Sequence, residues 1–302
     1  MHNEEEALAL FDEAISKDDN LDYQGAVQIL KHLQNAHLED IEEWNILEFL
    51  GKCHWYLDEF EPAIQCLSRA EEIISDSSNS HDLLDSLNRL DILDHLGLSY
   101  FTVGKYEIAL DCYERGAPFL HHYVDRKWTG SEISFYLGWG RTLFYLKRHE
   151  EALEKLGHAE TISLAHSPGD DRQFGLNIVR LELGRVYLYS GKLERADTVL
   201  ERVEPDRLGQ FERSQLRAAQ IRVAFELQRF LDVLKYFDKF DSPAQPNDLQ
   251  GWVECMVAWS YWKLLDPSNA SKHLFLAQNY AGDDPNLSES LRLLSSELLS
   301  WK

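Results

Sequence analysis

Residues 96–113 read LGLSYFTVGKYEIALDCY, and residues 183–200 read LGRVYLYSGKLERADTVL. Laid over one another, they match Leu96-Gly97 with Leu183-Gly184, Tyr100 with Tyr187, Gly104-Lys105 with Gly191-Lys192, and Ala109 with Ala196, and each ends on a large side chain, Tyr113 or Leu200. The central Gly-Lys is a turn signal, and the apolar positions on either side recur at helical intervals. Each stretch therefore predicts two helices joined by a tight turn. A third copy runs through Leu50-Gly51, His54, Phe60, Ala63, Leu67 and Ala70, and a fourth through Trp139-Gly140, Leu143, His149, Ala152, Leu156 and Ala159.

Weaker copies flank these four. Tyr23, Ala26 and Leu30 precede them; Phe230, Val233 and Phe237, then Tyr261, Pro267, Ala270, Leu274 and Ala277 follow, without the Leu-Gly pair. Aligned on the small residue, the copies fall at Ala26, Ala63, Ala109, Ala152, Ala196, Val233 and Ala270. These positions imply seven helix pairs over 5–43, 44–80, 81–128, 129–172, 173–209, 210–246 and 247–285. The steps between small residues run from 37 to 46. Stretches such as Ser75-Asp76-Ser77-Ser78-Asn79-Ser80 and Ser167-Pro168-Gly169-Asp170-Asp171 read as the loops or lengthened helix ends that absorb the extra residues. Residues 286–302 carry Leu287, Leu291, Leu294, Leu298 and Trp301, the stripe of one amphipathic helix, read as a cap.

The order of a large apolar residue, Leu-Gly, Tyr and then a small residue resembles the tetratricopeptide repeat, most clearly over residues 44–205, in a long-repeat form of a family whose usual period is about 34. The resemblance implies an all-α, right-handed superhelical solenoid of antiparallel helix pairs, a single repeat domain over 1–302 with a C-terminal capping helix. It also implies a concave groove lined by the first helix of each pair, and long-repeat relatives that include peptide sensors and polarity adaptors. Physically, each pair exposes an apolar face that it cannot bury alone, and Gly or Ala at the crossing lets helix axes approach to roughly 8–10 Å.

Composition agrees with a folded helical chain: 44% hydrophobic residues, with 16 Gly and 8 Pro in 302 residues. With 30 basic against 52 acidic side chains the formal net charge is −22, a field that repels phosphate backbones and anionic membrane surfaces. No nucleic-acid or membrane partner is expected. Twelve of the acids fall within residues 1–43, against only Lys17 and Lys31, so the first repeat is an acidic end. The N-terminus lacks a signal-peptide pattern and the chain lacks a run of about 18 apolar residues, which reads as cytoplasmic.

The groove positions follow from the repeat register. The residue after Leu-Gly, and those three and four further on, share one helix face. In order they are Lys52, Trp55 and Tyr56; Leu98, Phe101 and Thr102; Arg141, Phe144 and Tyr145; Arg185, Leu188 and Tyr189; Arg222, Phe225 and Glu226; Trp259, Trp262 and Lys263. A basic and aromatic track thus runs through an acidic protein. Arginine presents a planar fork suited to carboxylate or phosphate, and aromatic residues supply rigid contact area. The competing reading pairs these arginines internally, with acids such as Glu182 or Glu226, and makes the aromatics spacers between repeats. Glu48, Asp91 and Asp94, one turn earlier, would make the groove acidic toward the N-terminus. Asp91 and Asp94 also stand where a chaperone-tail carboxylate clamp of that family would want basic or amide residues.

Chemistry is hard to find. Cys53, Cys66, Cys112 and Cys255 form no CxxC pair and read as small buried hydrophobes. His121-His122 lacks metal-site spacing and reads as a surface cap, and no phosphate-loop, nucleophile-elbow, zinc-protease or dinucleotide string occurs. No enzyme, metal or cofactor is expected. The expectation is a scaffold or adaptor that holds an acidic partner peptide or helix with apolar anchors in the groove. The alternative is a peptide-responsive sensor of the long-repeat type, although the repeats begin almost at once, leaving little room for an effector module. The leucine stripe of the last helix is a candidate surface for self-association.

Overall fold

The computed structural model describes residues 4–34, 42–76, 83–123, 130–165, 170–240, 248–280 and 284–300, and every regular element among them is helical. The chain forms two compact units, Met1–Ile162 and Ser163–Lys302. The first holds α1 (Glu4–Asp19), α2 (Tyr23–Gln34), α3 (Glu43–Tyr56), α4 (Phe60–Asp76), α5 (Leu83–Thr102), α6 (Tyr106–Gly116) with a 3-10 continuation (Ala117–Tyr123), α7 (Gly130–Tyr145) and nearly all of α8 (His149–Ala165). The second holds α9 (Asp170–Tyr189), α10 (Leu193–Leu200), a short 3-10 turn (Pro205–Arg207), α11 (Gln210–Glu226), α12 (Phe230–Phe237), α13 (Asp248–Lys263), α14 (Pro267–Tyr280) and α15 (Pro285–Ser300). Among the described residues no helix is long and apolar enough to cross a membrane.

Each odd-numbered helix through α13 meets the next through one recurring turn. Leu21, Asp58, Gly104, Lys147, Gly191, Gln228 and Leu265 all take left-handed backbone, with φ between 57° and 77°. The N–H of the following residue then donates to a carbonyl five positions back: Asp22 to Lys17, Glu59 to His54, Lys105 to Tyr100, Arg148 to Leu143, Lys192 to Tyr187, Arg229 to Ala224 and Asp266 to Tyr261, at 2.7–2.9 Å. This closing bond satisfies a carbonyl that the helix end would otherwise orphan, and it sends the chain back antiparallel. Only two of the seven positions are glycine. The other five hold a side chain in a region that disfavours L-residues, so the turn is imposed by packing of the pair rather than by local preference.

The small residue five positions after each turn, Ala26 through Ala270, is fully buried in every copy. Close crossing also explains the glycines. A Cβ on Gly184 would lie 2.3 Å from Leu200 Cδ2, and one on Gly97 would lie 2.8 Å from the Tyr113 ring. Both partners are 16 residues further on, as are Leu67 from Gly51 and Leu156 from Gly140. The lengthened repeats show in α5 and α9, both 20 residues long. Of the loop segments expected from the sequence, Ser75 and Asp76 end α4 and Asp170 begins α9, while 77–80 and 167–169 lie outside the described residues.

In the first unit the buried core falls into three clusters, one around Ala14, Ala26, Leu30 and Leu50, one around Leu67 and Leu93, and one around Tyr113 and Phe135. In the second, α11 to α13 pack around Ile221, Val233 and Val257, and α13 and α14 receive α15. Leu287, Leu291 and Leu294 of α15 are buried there with Leu298 partly so; Trp301 lies outside the described residues.

Candidate functional site

In the second unit three successive first helices, α9, α11 and α13, enclose a cavity of about 350 Å³. α9 contributes Arg185, Leu188 and Tyr189; α11 contributes Gln215, Ala218, Ala219, Arg222, Phe225 and Glu226; α13 contributes Leu249, Trp252, Val253 and Met256. Two complete groove triplets read from the repeat register, Arg185-Leu188-Tyr189 and Arg222-Phe225-Glu226, therefore come together at one site. They do so because i, i+3 and i+4 share a helix face and neighbouring first helices run side by side. The floor is apolar, built from Ala218, Ala219, Val253 and Met256, all buried.

The two arginines are not equivalent. Arg185 Nη1 lies 3.0 Å from Oε2 of Glu182, one turn earlier on α9, and Glu182 is buried. That pair is the internal arrangement weighed against binding, and it holds for Arg185. Arg222 instead places its guanidinium 4.7 Å from the centroid of the Tyr189 ring and forms no ion pair among the described residues. Tyr189 is half exposed at 52%, so this cation–ring contact is open to solvent on the tyrosine side.

The aromatic walls are held from behind. Trp252 Nε1 donates to Asp284 Oδ2 at 2.9 Å. The other carboxylate oxygen of Asp284 accepts from the backbone N–H groups of Asn286 and Leu287, capping α15. The indole donor first, and those N–H groups next, hold the Asp284 carboxyl below its ordinary range. Phe225 packs edge-on against Phe230, with centroids 6.1 Å apart.

Other groove positions have different surroundings. Trp259 and Trp262 pack against the leucine cluster of α13 to α15, and Trp262 Nε1 donates to Glu297 at 2.6 Å, so they line the α15 seat and not the cavity. Trp252, seven residues before Trp259, packs on the same cluster and also lines the cavity. The register did not mark it, nor the small floor residues Ala218 and Ala219. Its signal was the i, i+3, i+4, i+7 apolar spacing of Leu249, Trp252, Val253 and Met256 on one face of α13.

In the first unit, Lys52 is paired with Glu48 at 2.5 Å. Tyr56 stacks on Tyr23 at 4.6 Å and meets Trp55 edge-on. Phe101, Tyr106 and Tyr145 form a cluster with centroids 5.0–5.5 Å apart, and Phe144 touches both Tyr145 and His149. Arg141, on α7, lies close enough to buried Tyr113 to favour its ionised form, against the larger opposing effect of burial. Of the acids read as a groove lining, Glu48 and Asp94 are buried, so they do not form an exposed acidic face. Burial, reinforced by the negative charge of Asp91, pushes the Asp94 carboxyl up to about 7.

Nothing at these positions assembles a nucleophile and base. Burial pushes the Cys112 and Cys255 thiols up to about 12, and among the described residues no group of three or more His, Cys, Asp or Glu is placed to hold a metal. The backbone of His121-His122 belongs to the 3-10 continuation of α6.

No family model and no curated protein matches the chain at the sequence level. Solved structures do match. The apo form of RapI superposes with a TM-score of 0.69 at 12% identity, over 97% of this chain and 82% of that one. The apo quorum sensor NprR from B. thuringiensis gives 0.66 at 14%, over 96% and 80%. A tetratricopeptide repeat protein from Parabacteroides merdae gives 0.54 at 13%, over 96% and 98%. With helix pairs, recurring turns and close glycine crossings already established in the structure, the chain has the tetratricopeptide-repeat fold.

Proposed function

We propose that this protein is an interaction scaffold or regulator that holds a segment of a partner protein against the cavity of the second unit. The observation that carries the reading is Arg222: a cation without a carboxylate partner among the described residues, stacked on an exposed tyrosine at the mouth of an apolar cavity. Buried or half-buried cations are normally paired, and aromatic residues with arginine are the side chains that dominate binding energy at interfaces. The site has apolar area for an anchor and a fork for an anion. The test is affinity capture from the source cell with the full chain and with Arg222→Glu, followed by mass spectrometry. A partner recovered by the first and lost by the second is expected; identical recoveries refute the site.

A second reading makes the same site a sensor, in which a peptide changes another surface. It is favoured by likeness to NprR, whose structure is described as that of a quorum sensor, and to a signal-transduction ATPase with a tetratricopeptide-repeat sensor from Pyrococcus horikoshii, which matches with a TM-score of 0.64 over 99% of this chain and 42% of that one. Small-angle scattering separates the two. A sensor contracts when its peptide binds, and an adaptor keeps its radius of gyration.

A further inference from the structure

We infer that the cavity between α9, α11 and α13 receives one large apolar side chain of a partner peptide, and that Arg222 reads a single carboxylate within two residues of it. This rests on the proposed partner-binding role of the site and adds the chemistry of the partner. Three features carry it.

First, the arginines are sorted by their surroundings. Arg185 is committed to Glu182, whose side chain is only 5% exposed, so turning the arginine away would break a largely buried ion pair. Arg222 sets its guanidinium carbon 4.7 Å from the Tyr189 ring centroid and meets no acid among the described residues, so the N–H donors along the edges of its planar fork are not taken by a carboxylate. Those edge donors match a carboxylate in the two-pronged geometry that lysine does not offer.

Second, the cavity is small and its walls are fixed. About 350 Å³ lies at the low end of ligand pockets, with room for one large side chain and its backbone but not for the face of a whole helix. Trp252 is held by Asp284 and Phe225 by Phe230, while the alanines opposite leave the space open.

Third, the surrounding charge limits the acidity of the partner. The chain carries a formal net charge of −22, and Glu226 stands exposed at the rim one turn from Arg222. A run of acids would be repelled by both, whereas one carboxylate in contact with the fork gains at short range what the distant field, screened beyond about 8–10 Å, cannot cancel. The occupant is therefore apolar with one acid beside it, and not a polyacidic tail.

The experiment selects a phage-displayed library of random linear 12-residue peptides on the immobilised full chain, then measures synthetic versions of the enriched peptides by fluorescence anisotropy. The expected consensus is a large apolar residue with one Asp or Glu within two positions. Replacing that acid by its amide should weaken binding to the wild-type chain about ten- to a hundredfold, as expected for a charge-assisted hydrogen bond, and by less than about threefold to Arg222→Gln. Selection on Arg222→Glu should move the consensus to a basic neighbour. Ala219→Leu, which fills the floor, should abolish binding of every enriched peptide; Arg222→Gln, at a partly buried position outside the apolar core, gives an independent test should the floor variant fail to fold. A consensus without an acid, or an equal amide effect on both chains, overturns the inference but leaves the site standing if Ala219→Leu still abolishes binding. No enrichment, or peptides indifferent to both variants, overturns the site itself.

Discussion

Replacing Asp94 by asparagine should change how stability depends on pH. Asp94 lies on α5 and is 3% exposed; Ser134 on α7 hydrogen-bonds it, and Lys52 on α3 is near enough to favour its charge. Its Oδ1 has no hydrogen-bond partner among the described residues. Burial first, and Asp91 next, raise its pKa from 3.8 to about 7. Between those values the folded chain binds a proton that the unfolded chain has released, so this group's contribution falls as pH rises through the window and is level above it. At 1.36 kcal/mol per unit the loss approaches about 4 kcal/mol. His95, the next residue, opposes it. Burial, with Lys52 adding, lowers its pKa from 6.5 to about 4, so the folded chain binds fewer protons there and stability rises with pH over that range. In the wild-type chain the two slopes largely cancel between about pH 4 and 6.5. Asparagine, standing in for the protonated acid, removes one of them. Urea unfolding from pH 4.5 to 8.5 should show Asp94→Asn gaining on the wild type by roughly 3–4 kcal/mol across the range, with the general repulsion of an acidic chain cancelling in the difference. A difference constant within about 1 kcal/mol would refute the claim that Asp94 is held neutral.

Three shorter predictions test the fold and the division of labour between the arginines. Gly184→Val should lower stability by about 1–3 kcal/mol, since its Cβ would fall 2.3 Å from Leu200 Cδ2 in a closely packed crossing; an unchanged melting temperature would mean that the crossing is looser than described. Leu265→Gly should raise stability by about 0.5–1 kcal/mol, because Leu265 sits at φ 62° and is 70% exposed, so little packing is lost with the side chain; a lower melting temperature would show that the leucine has a contact worth more than its strain. Arg185→Gln should cost about 1–3 kcal/mol by removing the ion pair to buried Glu182, whereas Arg222→Gln should stay within about 0.5 kcal/mol of wild type; equal losses in urea melts would erase the distinction between the two.

Much of the architecture was legible in the residues because it rests on short-range periodicity. Leu96-Gly97 and Tyr113, or Leu183-Gly184 and Leu200, lie within one helical hairpin, so the close crossing and its partner appear together in one window of sequence. The turns were harder to read. Gly104 and Gly191 announce theirs, but Leu21, Asp58, Lys147, Gln228 and Leu265 take the same left-handed backbone without the usual residue. Their conformation comes from two helices already packed, and local preference alone would not select it.

The candidate site was legible only in part. Repeat register alone placed Arg185, Tyr189, Arg222 and Phe225 on one face, since 3.6-residue geometry is a property of each helix by itself. It could not mark Trp252, because which residue of α13 reaches both the cavity beside α11 and the cap of α15 depends on how three helices cross. Nor could it say that Lys52 is occupied by Glu48, Arg185 by Glu182, and Arg222 by a tyrosine ring and by no acid among the described residues, or that Asp94 is buried deeply enough to keep its proton. What the sequence determined by itself is the helix pair and its repetition, which follow from contacts between residues near in the chain. What only the tertiary structure decided is which charges are met by an acid or base from another turn or helix and which are not, because desolvation and ion pairing depend on groups brought together by the fold.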